Sequence, residues 1–87
     1  MLDNEIIELY FARNENAISA TDKAYGKLLR SMAYNLLNSV EDSQEVTQDG
    51  YMQAWNHIPP TRPESLKTWL CKTVRNLSIN QSVEEKS

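Results

Sequence analysis

The sequence predicts an all-α domain, a compact bundle of about four helices, and three observations carry that expectation. Two glycines and three prolines are all that interrupt 87 residues in which Leu, Ala, Glu, Lys and Asn are frequent. Apolar residues recur at helical spacing in long stretches, above all between Leu28 and Leu37 and between Leu66 and Leu77. No covalent or metal staple offers an alternative core: the single Cys71 excludes an internal disulfide, and the lone His57 leaves no zinc cage. A chain of this length makes one small domain, and patterned helices must hold it together.

The first helical stretch runs from about Asn4 to Arg13, with Ile6, Ile7, Tyr10 and Phe11 on one side. Asn14-Glu15-Asn16 breaks the chain and can cap a second stretch reaching about Asn38. Gly26 predicts a bend in it. Beyond that point Leu28, Leu29, Met32, Ala33, Leu36 and Leu37 form one broad apolar stripe. Asp42 or Ser43 can cap a third helix that ends near Asn56, with Glu45 and Asp49 complementing its dipole. Its apolar side is Thr47, Tyr51, Ala54 and Trp55, with Ile58 beyond.

Pro59, Pro60 and Pro63 exclude regular helix from His57 to Pro63, and Pro63 is well placed at the first turn of a fourth helix running to about Gln81. There Leu66, Trp69, Leu70, Thr73, Val74 and Leu77 make a buried stripe. The expected domain is therefore 1–81, with 82–87 a polar tail or the start of a linker.

Several function classes are excluded. The N-terminus carries Asp3, Glu5 and Glu8 and no long apolar run, so it is neither signal peptide nor membrane span; with one unpaired thiol, it suits the cytoplasm. There is no glycine-rich phosphate loop, no nucleophile paired with a base and no metal-ligand spacing, so neither an enzyme nor a cofactor is expected. Glu45 and Asp49 are paired carboxylates, but dipole complementarity in a helix's early turns explains them.

Net charge is -3, yet charge comes in blocks. Five acids face only Arg13 up to Asp22; Lys23, Lys27 and Arg30 follow without an acid. Glu41, Asp42, Glu45 and Asp49 have no base among them, and Arg62, Lys67, Lys72 and Arg75 face only Glu64. Such blocks suit a protein that touches a basic partner and a phosphate backbone together, and they equally describe ordinary solvated helix surface.

On the third helix Glu45, Gln48, Asp49 and Met52 share one face, a pattern suited to docking on a basic partner. Opposite the stripe of the fourth helix lie Ser65, Thr68, Lys72, Arg75 and Asn76, with Lys67 at the margin and Asn80 a turn further on. Cations mixed with short hydroxyl and amide side chains can anchor phosphates and reach base edges. His57 and Arg62 add donors on a proline-stiffened loop. Trp55 and Trp69 fall at core spacing, with Trp69 nearer the stripe's edge, where an exposed ring edge could abut an unstacked base.

Together these residues resemble the second conserved region of extracytoplasmic-function sigma factors. Glu41-Asp42-Ser43-Gln44-Glu45-Val46-Thr47-Gln48-Asp49-Gly50-Tyr51-Met52-Gln53-Ala54-Trp55 is similar to the family's acidic segment ending in Gln-Asp, followed by an aromatic and Ala-Trp. Trp69-Leu70-Cys71-Lys72-Thr73-Val74-Arg75-Asn76-Leu77 is similar to its Trp-Leu-x-(basic)-x-x-Arg-Asn-Leu signature. Tyr25-Gly26, Leu29, Ala33-Tyr34 and Leu36-Leu37-Asn38 fit in order and spacing.

The resemblance implies the sigma region-two fold and a helix that docks on a coiled coil of the largest subunit of core RNA polymerase through Glu45, Gln48, Asp49 and Met52. It also implies binding and melting of the minus-ten promoter element. The non-template strand would meet His57, Arg62, Trp69, Lys72, Arg75, Asn76 and Asn80, with a base flipped into the loop.

An anti-sigma factor is a further implied partner. The alternative is a sigma-like protein-interaction module that binds polymerase or an anti-sigma factor without DNA function. Gln44 and Thr47 replace the family's usual acid and aliphatic, and Gly50 weakens a helix by roughly 1 kcal/mol against alanine. After Asn80 the arginine-rich continuation gives way to Gln81-Ser82-Val83-Glu84-Glu85, and the 87 residues hold no second helix-turn-helix domain. Those departures suit a shortened form or a degenerate relative.

Overall fold

Four helices follow one another with short connections in the computed structural model, which describes residues 2–86 in backbone and 2–82 in side chain. They are α1 (Asp3–Phe11), α2 (Asn16–Leu37), α3 (Val40–His57) and α4 (Leu66–Lys86), with no strand among the described residues. Helices α2, α3 and α4 pack against one another, and α1 lies mainly on α2. The body measures 40 × 22 × 20 Å. This is the all-α bundle expected from composition and periodicity.

α1 starts where Glu5 reaches back to accept the Leu2 N–H at 3.2 Å. It buries Ile6, Ile7 and Tyr10, while Phe11 is half-buried. The helix ends in a paired motif: the Arg13 N–H donates to the Tyr10 carbonyl at 3.0 Å and the Asn14 N–H to the Leu9 carbonyl at 2.9 Å. Arg13 takes the left-handed conformation this requires, with φ 55°. The Asn14 side chain then accepts the Asn16 N–H at 2.9 Å and opens α2, as its position suggested.

α2 is continuous helix through Gly26. The stripe is narrower than its pattern. Leu29 and Ala33 are buried and Met32 and Leu37 half-buried, but Leu28 and Leu36 stand 42% and 40% exposed. The buried line instead begins with Ala17, Thr21 and Gly26. A long helix in a small bundle meets too few neighbours to cover a stripe two residues wide on each turn. Asn38 ends it in the left-handed region, φ 55°, which asparagine tolerates.

The cap of α3 is Ser39, three residues before the expected Asp42 or four before Ser43, because Asn38 turns the chain and leaves Ser39 extended. Its Oγ accepts the Asp42 N–H at 3.2 Å. Glu41 and Asp42 therefore occupy the first turn. Val46, Tyr51, Ala54 and Ile58 are buried, as are Ser43 and Thr47. The hydroxyl of Thr47 donates to the Ser43 carbonyl at 2.7 Å, so it enters the core satisfied.

α4 begins at Leu66, after Pro63 instead of around it. Ser65 does the capping, accepting the Thr68 N–H on its side chain at 3.2 Å. Leu66, Leu70 and Val74 are fully buried, each contributing roughly 1.5–3 kcal/mol of hydrophobic stabilisation. Ser78 joins them, its hydroxyl donating to the Val74 carbonyl at 2.8 Å. At Gly50 α3 and α4 approach closely: a Cβ there would lie 2.7 Å from Val74 Cγ2. The glycine that looked like a weakness in α3 is the condition for packing α4. The helical backbone continues past Gln81 to Lys86, through most of the segment expected as a tail; Ser87 lies outside the described residues.

Candidate functional site

Two surfaces of opposite charge lie on α3 and α4. On α3, Glu45, Gln48, Asp49 and Met52 are all exposed along one outer face, and Met52 shows half its surface. Their spacing and the burial of Val46, Thr47 and Gly50 on the other side fix this orientation. Beside them an open groove of about 470 Å³ between α2 and α3 is lined by Asp22, Arg30, Glu41, Gln44, Glu45, Thr47 and Gln48. Three carboxylates against one guanidinium leave this groove suited to a cationic side chain of a partner.

The base of that groove is tied down. Asp22 accepts the Tyr51 hydroxyl and the Arg30 guanidinium on one oxygen, each at 2.8 Å. The Tyr51 hydrogen bond first and the Arg30 hydrogen bond second hold the Asp22 carboxyl below the usual carboxylate range. Burial, with the Asp22 hydrogen bond, pushes the Tyr51 phenol well up. Asp22 therefore stays ionised through ordinary pH, holding α3 to α2 behind the outer face.

On α4 the exposed residues Thr68, Lys72, Arg75 and Asn76 share the face opposite the core. Lys72 and Arg75, with Lys67, Thr68, Cys71 and Met32 of α2, line a groove of about 400 Å³ that no carboxylate enters. Such a groove, with cationic walls and a thioether and thiol floor, can hold a phosphate backbone with an apolar group against it. Trp69 is half-buried at the margin of this face, in keeping with its place at the edge of the stripe.

The remaining sequence candidates lie elsewhere. Asn80 borders a third groove, with Glu45, Val46, Asp49, Leu77 and Gln81, on the side of α4 nearest the acidic helix. His57 is the last residue of α3, not a loop residue, and its Nε2 lies 2.9 Å from Gln53 Oε1. Arg62 reaches α1, pairing with Glu8 at 2.7 Å and stacking 4.3 Å from the centre of the Phe11 ring. Both members of the pair are more than half exposed, so it is worth little and yields readily.

Arg13 joins these residues without any motif to announce it. Its Nη1 donates to the carbonyls of Trp55 at 2.8 Å and Ile58 at 3.1 Å, and its guanidinium lies 3.9 Å over the Trp55 ring. The only available signal was a single base in an otherwise acidic N-terminal segment.

The sequence pattern of the family described as Sigma-70 region 2 matches residues 22–86, most of the chain. The chain belongs to the Sigma-70 region 2 family. No curated protein and no solved structure gives a match. Region 2 of sigma factors is a non-enzymatic transcription-factor domain that binds core RNA polymerase and recognises the minus-ten promoter element. The match contains α3, α4 and all but the start of α2, and it leaves α1 and Arg13 outside. The four-helix bundle fits sigma region 2. Among the described residues no helix is long and apolar enough to cross a membrane, and no cluster of His, Cys, Asp or Glu is placed to hold a metal.

Proposed function

We propose that this chain is the region-two domain of a sigma factor of the extracytoplasmic-function type, acting in the bacterial cytoplasm. Glu45, Gln48, Asp49 and Met52 dock on a coiled coil of the largest polymerase subunit, and the acidic groove beside them receives a basic side chain of that coiled coil. Lys72, Arg75 and Asn76 bind the non-template strand of the minus-ten element, with Trp69 at the edge of the stack. His57 and Arg62 flank a base extruded into the loop, and Asn80 extends the strand contact along α4.

Trapping an extruded base lowers the cost of opening the duplex, a few kcal/mol per unstacked base, without consuming a cofactor. The observation that supports this best is the segregation of charge: exposed acids on the outer face of α3, and a carboxylate-free basic groove on α4.

A second reading has its own support. Arg62 is paired with Glu8, and Asn80 borders Glu45 and Asp49, so the basic face is smaller than the sequence suggested. In that reading the domain binds polymerase or an anti-sigma factor and leaves DNA to others. Titrating the protein with the isolated polymerase coiled coil and, separately, with fluorescent single-stranded minus-ten DNA at low salt distinguishes them. The first reading expects both ligands to bind; coiled-coil binding with no DNA binding selects the second.

A further inference from the structure

We infer that α1, together with Arg13, is a clamp that sets the geometry of the loop between α3 and α4, and that Arg13 and Phe11 are positioning residues for DNA held by that loop. The DNA part of this inference rests on the first reading above.

The loop meets the same short N-terminal segment at two places, firmly at its start and more loosely at its middle. Where it leaves α3, Arg13 donates to Trp55 and Ile58, bonding across 42 and 45 residues of chain. These carbonyls belong to the last turn of α3 and to its C-cap, where a guanidinium also meets the negative end of the helix dipole. The Trp55 ring beneath it fixes the plane of the guanidinium. Further along, Arg62 is held by Glu8 and the Phe11 ring, across 54 residues for the ion pair. Between the two grips, the Thr61 N–H donates to the His57 carbonyl at 2.8 Å.

Arg13 occupies the left-handed position that ends α1, where an L-residue with a β-carbon costs roughly 1–2 kcal/mol and glycine costs nothing. The backbone would be better served by glycine; what arginine adds is its side chain. The Arg62 grip has a different character. One Nη2 donor is engaged by Glu8, out of the five N–H donors a guanidinium carries, so others can meet a phosphate while the Phe11 stack keeps the group oriented. A loop already held costs less to order when it binds. The family match begins at residue 22, so this clamp is supplied by the part of the chain that the match does not cover.

Arg13→Gly separates side chain from backbone, because glycine keeps the left-handed turn while removing the clamp. In the whole chain, hydrogen exchange at the amides of Ile58 and Thr61 is expected to speed up about ten-fold, with the amides of mid-α2 and α4 unchanged. Affinity for fluorescent single-stranded minus-ten DNA is expected to fall about ten-fold, and binding of the polymerase coiled coil to stay at the wild-type level. Phe11→Leu, which keeps apolar bulk on α1, should shift Thr61 exchange and DNA affinity in the same direction.

Unchanged loop exchange in both variants overturns the clamp, whatever the wild type does with DNA. Faster exchange with unchanged DNA affinity overturns the positioning role. Faster exchange in a protein whose wild type binds no DNA supports the clamp and overturns the DNA reading instead.

Discussion

The hydroxyl of Tyr51 on α3 donates to Asp22 on α2 at 2.8 Å, on the same carboxylate oxygen that takes Arg30 from two turns further along α2. Gly26, one turn from each partner, makes this possible. A Cβ there would lie 2.5 Å from that oxygen and 2.9 Å from the Arg30 Nη1. The pair thus crosses α2 over a gap in its own side chains and fastens it to the helix that carries the acidic face.

Acid should expose this link. The folded Asp22 pKa lies below the ordinary value of about 3.9, so its stabilisation is present above that value and lost as pH falls through the lower folded one. Urea midpoints measured from neutral pH down into this range should drop in the wild type and drop less in Asp22→Asn. The variant should also be the less stable of the two at neutral pH. Equal acid slopes would remove Asp22 as a contributor.

On the alkaline side Tyr25 adds to the raised Tyr51 phenol. Tyr25 on α2 donates to Asp3 on α1, and that hydrogen bond, ahead of burial, pushes the phenol up to about 12. A raised folded pKa means the stabilisation is complete below the unfolded tyrosine value of about 10 and is lost as pH rises through the folded value. Tyr25→Phe should therefore lose stability at neutral pH and show a flatter loss from about pH 10 upward. Thermal melts across that range, followed by helical circular dichroism, measure it.

Gly50 sets the spacing of α3 and α4. Alanine at this position would gain roughly 1 kcal/mol of helix propensity but force Val74 to move from a buried site, a cost of typically 1–3 kcal/mol. Gly50→Ala should therefore be destabilising in chemical denaturation. The Gly50→Ala/Val74→Ala double variant should be less destabilised than the sum of the two single changes, so the two couple favourably. Simple additivity would mean that the close approach is relieved by other means.

Helix number, helix type and the facing of α3 and α4 were legible in the sequence because they depend on local periodicity. Leu66, Leu70 and Val74 are buried where their spacing put them, and Glu45, Gln48, Asp49 and Met52 are exposed together. What escaped depends on contacts distant in sequence. Gly50 reads as a weak point of α3 taken alone, and only Val74 of α4, packed against it, shows why a glycine stands there. Leu28 and Leu36 look like core residues in one helix taken alone, and only the number of neighbours shows that they are not.

The positions of Arg62 and Arg13 were the least legible. Each is held by a partner more than forty residues away, which no spacing rule can indicate. Caps shifted for a local reason: Asn38 and Ser39 end one helix and begin the next with a turn of one residue each, closer than the Asp42 or Ser43 that the motif favoured.

The proposal of two separate binding faces is tested most directly by reversing one charge on each. Binding of the isolated polymerase coiled coil and of fluorescent single-stranded minus-ten DNA should be titrated in parallel against wild type, Asp49→Lys and Lys72→Glu. Asp49→Lys should abolish coiled-coil binding and leave DNA affinity intact or slightly raised. Lys72→Glu should weaken DNA binding and reduce its salt dependence while leaving the coiled coil unaffected. If each variant loses both ligands equally, or if neither loses any, the division of labour between α3 and α4 is wrong.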